Sequence, residues 1–143
     1  MAAKPRVLFE LNVVLDVLQE RTEFYEFSAR CLAHAETGQI QGWLAAHSVT
    51  TLFYLIVKDQ SPAQARVTIT SLLQFLKIAP ANHDTIEGAL NLPYKDFEDA
   101  VQMMSALEIQ ADYVLSRNVS DFDPAPVDVV RPVELLAVMD RSD

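Results

Sequence analysis

Four carboxylates stand where an apolar run stops or a helical pattern begins. Glu10 closes Val7-Leu8-Phe9 and is followed by Asn12. Asp96 and Asp99 open the apolar-periodic segment Asp96-Phe97-Glu98-Asp99-Ala100. Asp121 follows Tyr113-Val114-Leu115, within Ser116-Arg117-Asn118-Val119-Ser120-Asp121-Phe122. If those runs are strands of one open parallel sheet, the acids share its carboxyl edge, where such sheets bind ligands. Carboxylates about 4 Å apart repel by roughly 4 kcal/mol per pair at an effective dielectric of 20. A cation relieves that repulsion, and hard oxygen donors suit Mg²⁺ or Mn²⁺.

Each acid also has a local reading. Asp96 suits a helix N-cap, with Glu98 and Asp99 favoured in the first turn by the helix dipole. Asp121 suits a turn. Asp16, four residues after Asn12, shares its helix face and either joins the site or, the favoured reading, faces water. Other chemistries have less support. His34, His47 and His83 show no paired metal spacing of the His-Glu-x-x-His kind. The three glycines are dispersed, so there is no Gly-rich phosphate loop. No Gly-x-Ser-x-Gly elbow frames a serine. Cys31, within Ala29-Arg30-Cys31-Leu32-Ala33, reads as a buried small hydrophobe rather than a nucleophile.

The elements that must position the acids alternate between strand and helix. Arg6–Glu10 reads as a strand, and Val13, Val14, Val17 and Leu18 recur at helical spacing. Tyr25–Thr37 is a second helix that Gly38 can end. Gly42–Ala45 suggests a strand and Ser48–Lys58 a helix. Ser61, Pro62 and Gln64 spell a capped helix start with a capping box, running to about Phe75. Leu76–Ile78 is a strand ended by Pro80. Asp84 with Glu87 starts a short helix that Pro93-Tyr94 breaks. Asp96–Leu107 is the next helix and Tyr113–Ser116 a strand. A loop marked by Pro124 and Pro126 leads to a strand at Val127–Val130 and a helix at Val133–Met139. Strands separated by helices predict an α/β/α sandwich around a mainly parallel sheet.

The chain has 143 residues, half of them hydrophobic, which predicts one domain with a sizeable core and no disorder. No apolar stretch is long enough to span a bilayer, and no basic-apolar leader opens the chain. With a single cysteine, a cytoplasmic protein is expected. The net charge is −9. Residues 1–95 hold 9 acids against 8 Lys or Arg, and residues 96–143 hold 11 acids against 3 Arg. An acidic half argues against passive electrostatic binding of nucleic acid. Binding must then use a local basic rim or a bound metal.

The combination resembles the PIN-domain family of metal-dependent ribonucleases, which includes the VapC-type toxins of bacterial toxin–antitoxin pairs. Val7-Leu8-Phe9-Glu10-Leu11-Asn12-Val13-Val14-Leu15-Asp16 is similar to the family's opening strand and Asp-Thr-Asn turn. Asp96-Phe97-Glu98-Asp99-Ala100 resembles its central acidic helix start, and Ser116-Arg117-Asn118-Val119-Ser120-Asp121-Phe122 its Thr-Arg-Asn-x-x-Asp-Phe. Three departures stand out. Glu10 replaces the first Asp, Leu11 the Thr, and Thr51 stands where a second acid is expected.

The resemblance implies a metal-dependent endoribonuclease using Mg²⁺ or Mn²⁺. Glu10, Asp99 and Asp121 form its ligand set, with Asp96 in reserve. Asn12, Ser116 and Asn118 would orient ligands or water, and Arg117 would meet a phosphate, with Lys95 a weaker candidate. RNA substrate, a small antitoxin protein and a homodimer follow from the same resemblance. Two rivals stay open. One is a PIN-like binding or regulatory module that has lost the chemistry. The other is a phosphoacceptor domain, which would want paired acids near the first strand and a late lysine; no Lys follows Lys95.

Overall fold

A computed structural model describes residues 4–141. Five short strands form one sheet: β1 (Arg6–Phe9), β2 (Gln41–Ala45), β3 (Leu76–Ala79), β4 (Tyr113–Leu115) and β5 (Asp128–Val130). Their order is β3-β2-β1-β4-β5 and every pairing is parallel. The chain moves outward from β1 to β3, then returns to add β4 and β5 on the other side. The direction reverses between β1 and β4, and open sheets of this type place ligand sites at that reversal.

Seven helices connect and flank the strands: α1 (Leu11–Leu18), α2 (Tyr25–Glu36), α3 (Ala46–Asp59), α4 (Pro62–Leu72), α5 (His83–Leu90), α6 (Phe97–Glu108) and α7 (Pro132–Arg141). Alternation along β1 sends its side chains to opposite faces. Val7 and Phe9 join a core with Val13, Val14, Cys31, Leu52, Ala65 and Leu135, drawn from α1, α2, α3, α4 and α7. Leu8 joins a second core with Met103 and Ala106 of α6. Leu8 and Phe9 are fully buried; burying a side chain of this size contributes about 1.5–3 kcal/mol. The three-layer α/β/α sandwich follows, with a sheet that is parallel throughout.

Local chemistry departs from expectation at several ends. α3 begins at Ala46, directly after Ala45 of β2, so strand runs into helix with no loop. Ser61 caps α4 by accepting from Gln64 N at 3.0 Å. The expected capping box is only half formed, because Gln64 Nε2 donates to Thr68 instead. The full box sits on α5, between Asn82 and Thr85 rather than Asp84 and Glu87. Asn82 accepts from Thr85 N at 3.0 Å, and Thr85 Oγ1 accepts from Asn82 N at 3.2 Å.

Candidate metal centre

Glu10 ends β1 and caps α1. Its backbone N–H donates to Leu115 O of β4 at 2.9 Å, pinning it at the switch point. One carboxylate oxygen accepts from the Asn12 backbone N–H. The other accepts from Asn12 Nδ2 at 2.9 Å. Glu10 is only 6% exposed. Burial pushes its carboxyl above the ordinary value, opposed by the Asn12 bonds and the nearby Arg117 charge. Each carboxylate oxygen has a second lone-pair direction, so capping leaves Glu10 able to ligate.

Asp96 caps α6 by accepting from Glu98 N at 2.9 Å. The local reading of Asp96 therefore holds, and its exposed carboxylate still borders the site. Asp99 follows in the first turn. Its carboxyl is raised to about 7, by burial first and then by the negative charges of Asp96, Glu10, Asp121 and Glu98. Asp96, Glu10 and Asp121 thus all lie within electrostatic range of Asp99. A hollow of about 450 Å³ opens here, walled by Tyr94, Lys95, Asp96, Asp99, Asp121 and Asp123.

The loop after β4 carries Asp121 on a single 3-10 turn, Val119–Asp121. Ser116 is buried, and its Oγ accepts from Asn118 N at 3.1 Å. Asn118 O accepts from Asp121 N at 3.1 Å. Ser116 and Asn118 thus hold the shape of the loop that presents Asp121. Thr51, half-buried inside α3, does not line the hollow.

Two expectations need correction. Asp16 does not face water; its side chain is completely buried. It meets Arg21 at 3.3 Å, Ser28 Oγ at 3.1 Å and Arg117 Nε at 2.9 Å. The Arg117 Nε–H is not aligned for a hydrogen bond, so that contact is ionic. Arg117 is accordingly held at Nε by Asp16 and over the Phe24 ring, 3.9 Å from its guanidinium carbon, so its charge is already balanced rather than reserved for a phosphate. A buried Asp16 was foreseeable from its place on the apolar α1, where a lone acid among valines needs a partner.

Tyr94 and Asp123 were not anticipated. Tyr94 packs edge-on against Phe122, with centroids 5.8 Å apart, and its hydroxyl donates to Pro124 O. Burial, then Asp123 and Asp99, raise its phenol above the ordinary value. The signal for Asp123 was its position two residues after Asp121.

Among the described residues, no three His, Cys, Asp or Glu side chains stand close enough together to hold a metal ion as they are placed. The donor chemistry nevertheless fits a hard divalent cation: carboxylates dominate the group, and burial together with their repulsion raises the Asp99 carboxyl to about 7.

The family model for the PIN domain matches residues 6–120. The chain belongs to the PIN-domain family. This membership sets aside the phosphoacceptor reading. A comparison with curated proteins gives no match.

Solved structures agree on the PIN fold. A toxin–antitoxin complex from Klebsiella pneumoniae superposes with a TM-score of 0.68 at 22% identity, covering 88% of this chain and 97% of that one. FitAcB from Neisseria gonorrhoeae gives 0.69 at 18% identity, covering 89% and 98%. VapC20 of Mycobacterium tuberculosis, described as a sarcin–ricin-loop-cleaving toxin, gives 0.60 at 10% identity, covering 76% and 86%.

Proposed function

We propose that this PIN domain is a metal-dependent endoribonuclease and the toxin of a toxin–antitoxin pair. The observation that carries the reading is the grouping of Glu10, Asp96 and Asp121 around Asp99, whose carboxyl is raised to about 7 by its burial first and by those charges after it. Glu10, Asp99 and Asp121 would hold Mg²⁺ or Mn²⁺, with Asp96 beside them. Such an ion, when bound, activates water and stabilises charge on a leaving phosphodiester oxygen.

The chain's own groups do the rest. Asn12 fixes both oxygens of Glu10. Asp99 Oδ carries a proton near neutrality and gives it up when a cation arrives, since ligands must be deprotonated. Lys95, on the rim of the hollow, offers a positive charge to a substrate phosphate. The likeness to the Klebsiella pneumoniae toxin–antitoxin complex supports a small antitoxin partner. A cytoplasmic homodimer belongs to the same reading. Among the described residues no helix is long and apolar enough to cross a membrane.

A second reading has its own support. Thr51 leaves α3 without the expected acid, and among the described residues no three acids stand close enough together to hold a metal, which suits a PIN-like binding or regulatory module. Cleavage of a mixed RNA pool with Mn²⁺, free of any partner protein, separates the two. Wild type should cleave and Asp121→Asn should not. Glu10→Asp should preserve or raise the rate, since Asp is a favoured N-cap; Glu10→Gln should abolish it. Equal background from wild type and Asp121→Asn would sink the nuclease reading.

A further inference from the structure

A second hollow, of about 310 Å³, lies behind Arg117 and is lined by Phe24, Phe27, Arg117, Arg131, Pro132 and Val133. It is coupled to the acid group through side chains. Asn12 binds Glu10 at 2.9 Å, Arg21 reaches both Asn12 and Asp16 at 3.3 Å, and Asp16 holds Arg117 at 2.9 Å. The positive charge of Arg117 is felt at Glu10. Resting on the nuclease reading, we propose that this hollow is a nucleobase subsite, seating one unstacked base of the RNA next to the cleaved bond.

Charge, shape and donors select that occupant. Arg117 is balanced by Asp16 and Arg131 by Glu134 at 3.4 Å, while Glu23 adds a negative group to the lining. Such a lining does not select a phosphate or a carboxylate; it suits a neutral group. The volume is at the low end of the roughly 300–1,000 Å³ of small-ligand clefts, enough for one ring system. A helix about 10–12 Å across is too wide. The Arg117 guanidinium lies over Phe24, its plane fixed by the ion pair. Among the described residues nothing bonds its terminal nitrogens. Single-stranded bases stack on aromatic rings and guanidinium planes. An arginine fork also matches the adjacent O6 and N7 acceptors of guanine. Phe27, 40% exposed, supplies a further aromatic wall.

The test is fluorescence anisotropy of labelled hexanucleotides, one rich in guanine and others of A, C or U, with Mg²⁺. The Asp121→Asn protein serves as background, so that binding is read without cleavage. The guanine-rich strand should bind tightest. Phe27→Ala should weaken it about tenfold, the scale of one lost stacking contact. Val133→Trp, which fills the hollow from an exposed position, should do at least as much. Tyr54→Ala, an exposed aromatic on α3, should change nothing. No hexamer binding, or equal binding by the Phe27 and Val133 variants, overturns the subsite even if wild type cleaves RNA. Base-dependent binding lost in Phe27→Ala, from a wild type that does not cleave, upholds the subsite and removes the nuclease. If Phe27→Ala leaves hexamer binding intact but loses a co-purifying protein, the hollow is a protein contact and the assignment falls.

Discussion

At the scale of single residues, the acid group is electrostatically strained until something positive enters. Asp99 shows the sign. Its folded carboxyl is raised to about 7, above its ordinary value of 3.8. Its contribution to stability is therefore fully present below pH 3.8 and is lost as pH rises through 7. Asp99→Asn removes the charge, so the metal-free variant should melt higher than wild type at pH 8, with the gain vanishing near pH 4. Melting curves in chelator across that range check it; equal melting temperatures at pH 8 would contradict the strain. Asp16 is a buried carboxylate of another kind, paired with Arg21 and Arg117. Asp16→Ala leaves those cations unpaired and should cost about 3–5 kcal/mol, measured by urea unfolding. The acids were legible because carboxylates at strand ends are rare enough to notice. The fate of Asp16 was harder to read, because its partners lie 5, 12 and 101 positions away.

At the scale of elements, the alternation of strand and helix was legible throughout, since buried parallel strands are short apolar runs between amphipathic stretches. Cap chemistry was less so. Asn82 and Thr85 compete with Asp84 and Glu87 for the same helix start, and the winner is set by where the chain leaves β3. Packing between elements shows most sharply at Gly42 of β2. A Cβ there would lie 2.6 Å from Leu76 Cδ2, 3.0 Å from Ala35 Cβ and 3.3 Å from Phe9 Cε1. Three elements close on that one hydrogen, so Gly42→Ala should overpack the core and cost about 1–3 kcal/mol, seen as a lower denaturant midpoint. An unchanged midpoint would mean that Leu76 yields freely.

At the scale of the molecule, Glu10, Asp99 and Asp121 come from segments that separate on unfolding, so a cation bridging them should hold the fold together. Mn²⁺ at about 100 times its dissociation constant should add roughly 2.7 kcal/mol, read as a rising melting temperature after chelator treatment. A flat titration would count against the site. The placement of β1 between β2 and β4 also bears on synthesis. Arg6 N donates to Asp112 at 2.7 Å across 106 positions, and Glu10 rests on Leu115. At about 5–20 residues per second of translation, β4 is made roughly 5–20 s after β1. Until then the central strand has an open edge, and Leu8 waits for α6 to cover it. Glu10 therefore meets Asp99 and Asp121 only after the loop beyond β4 has been made, so a polypeptide stopped short of β4 carries no assembled acid group.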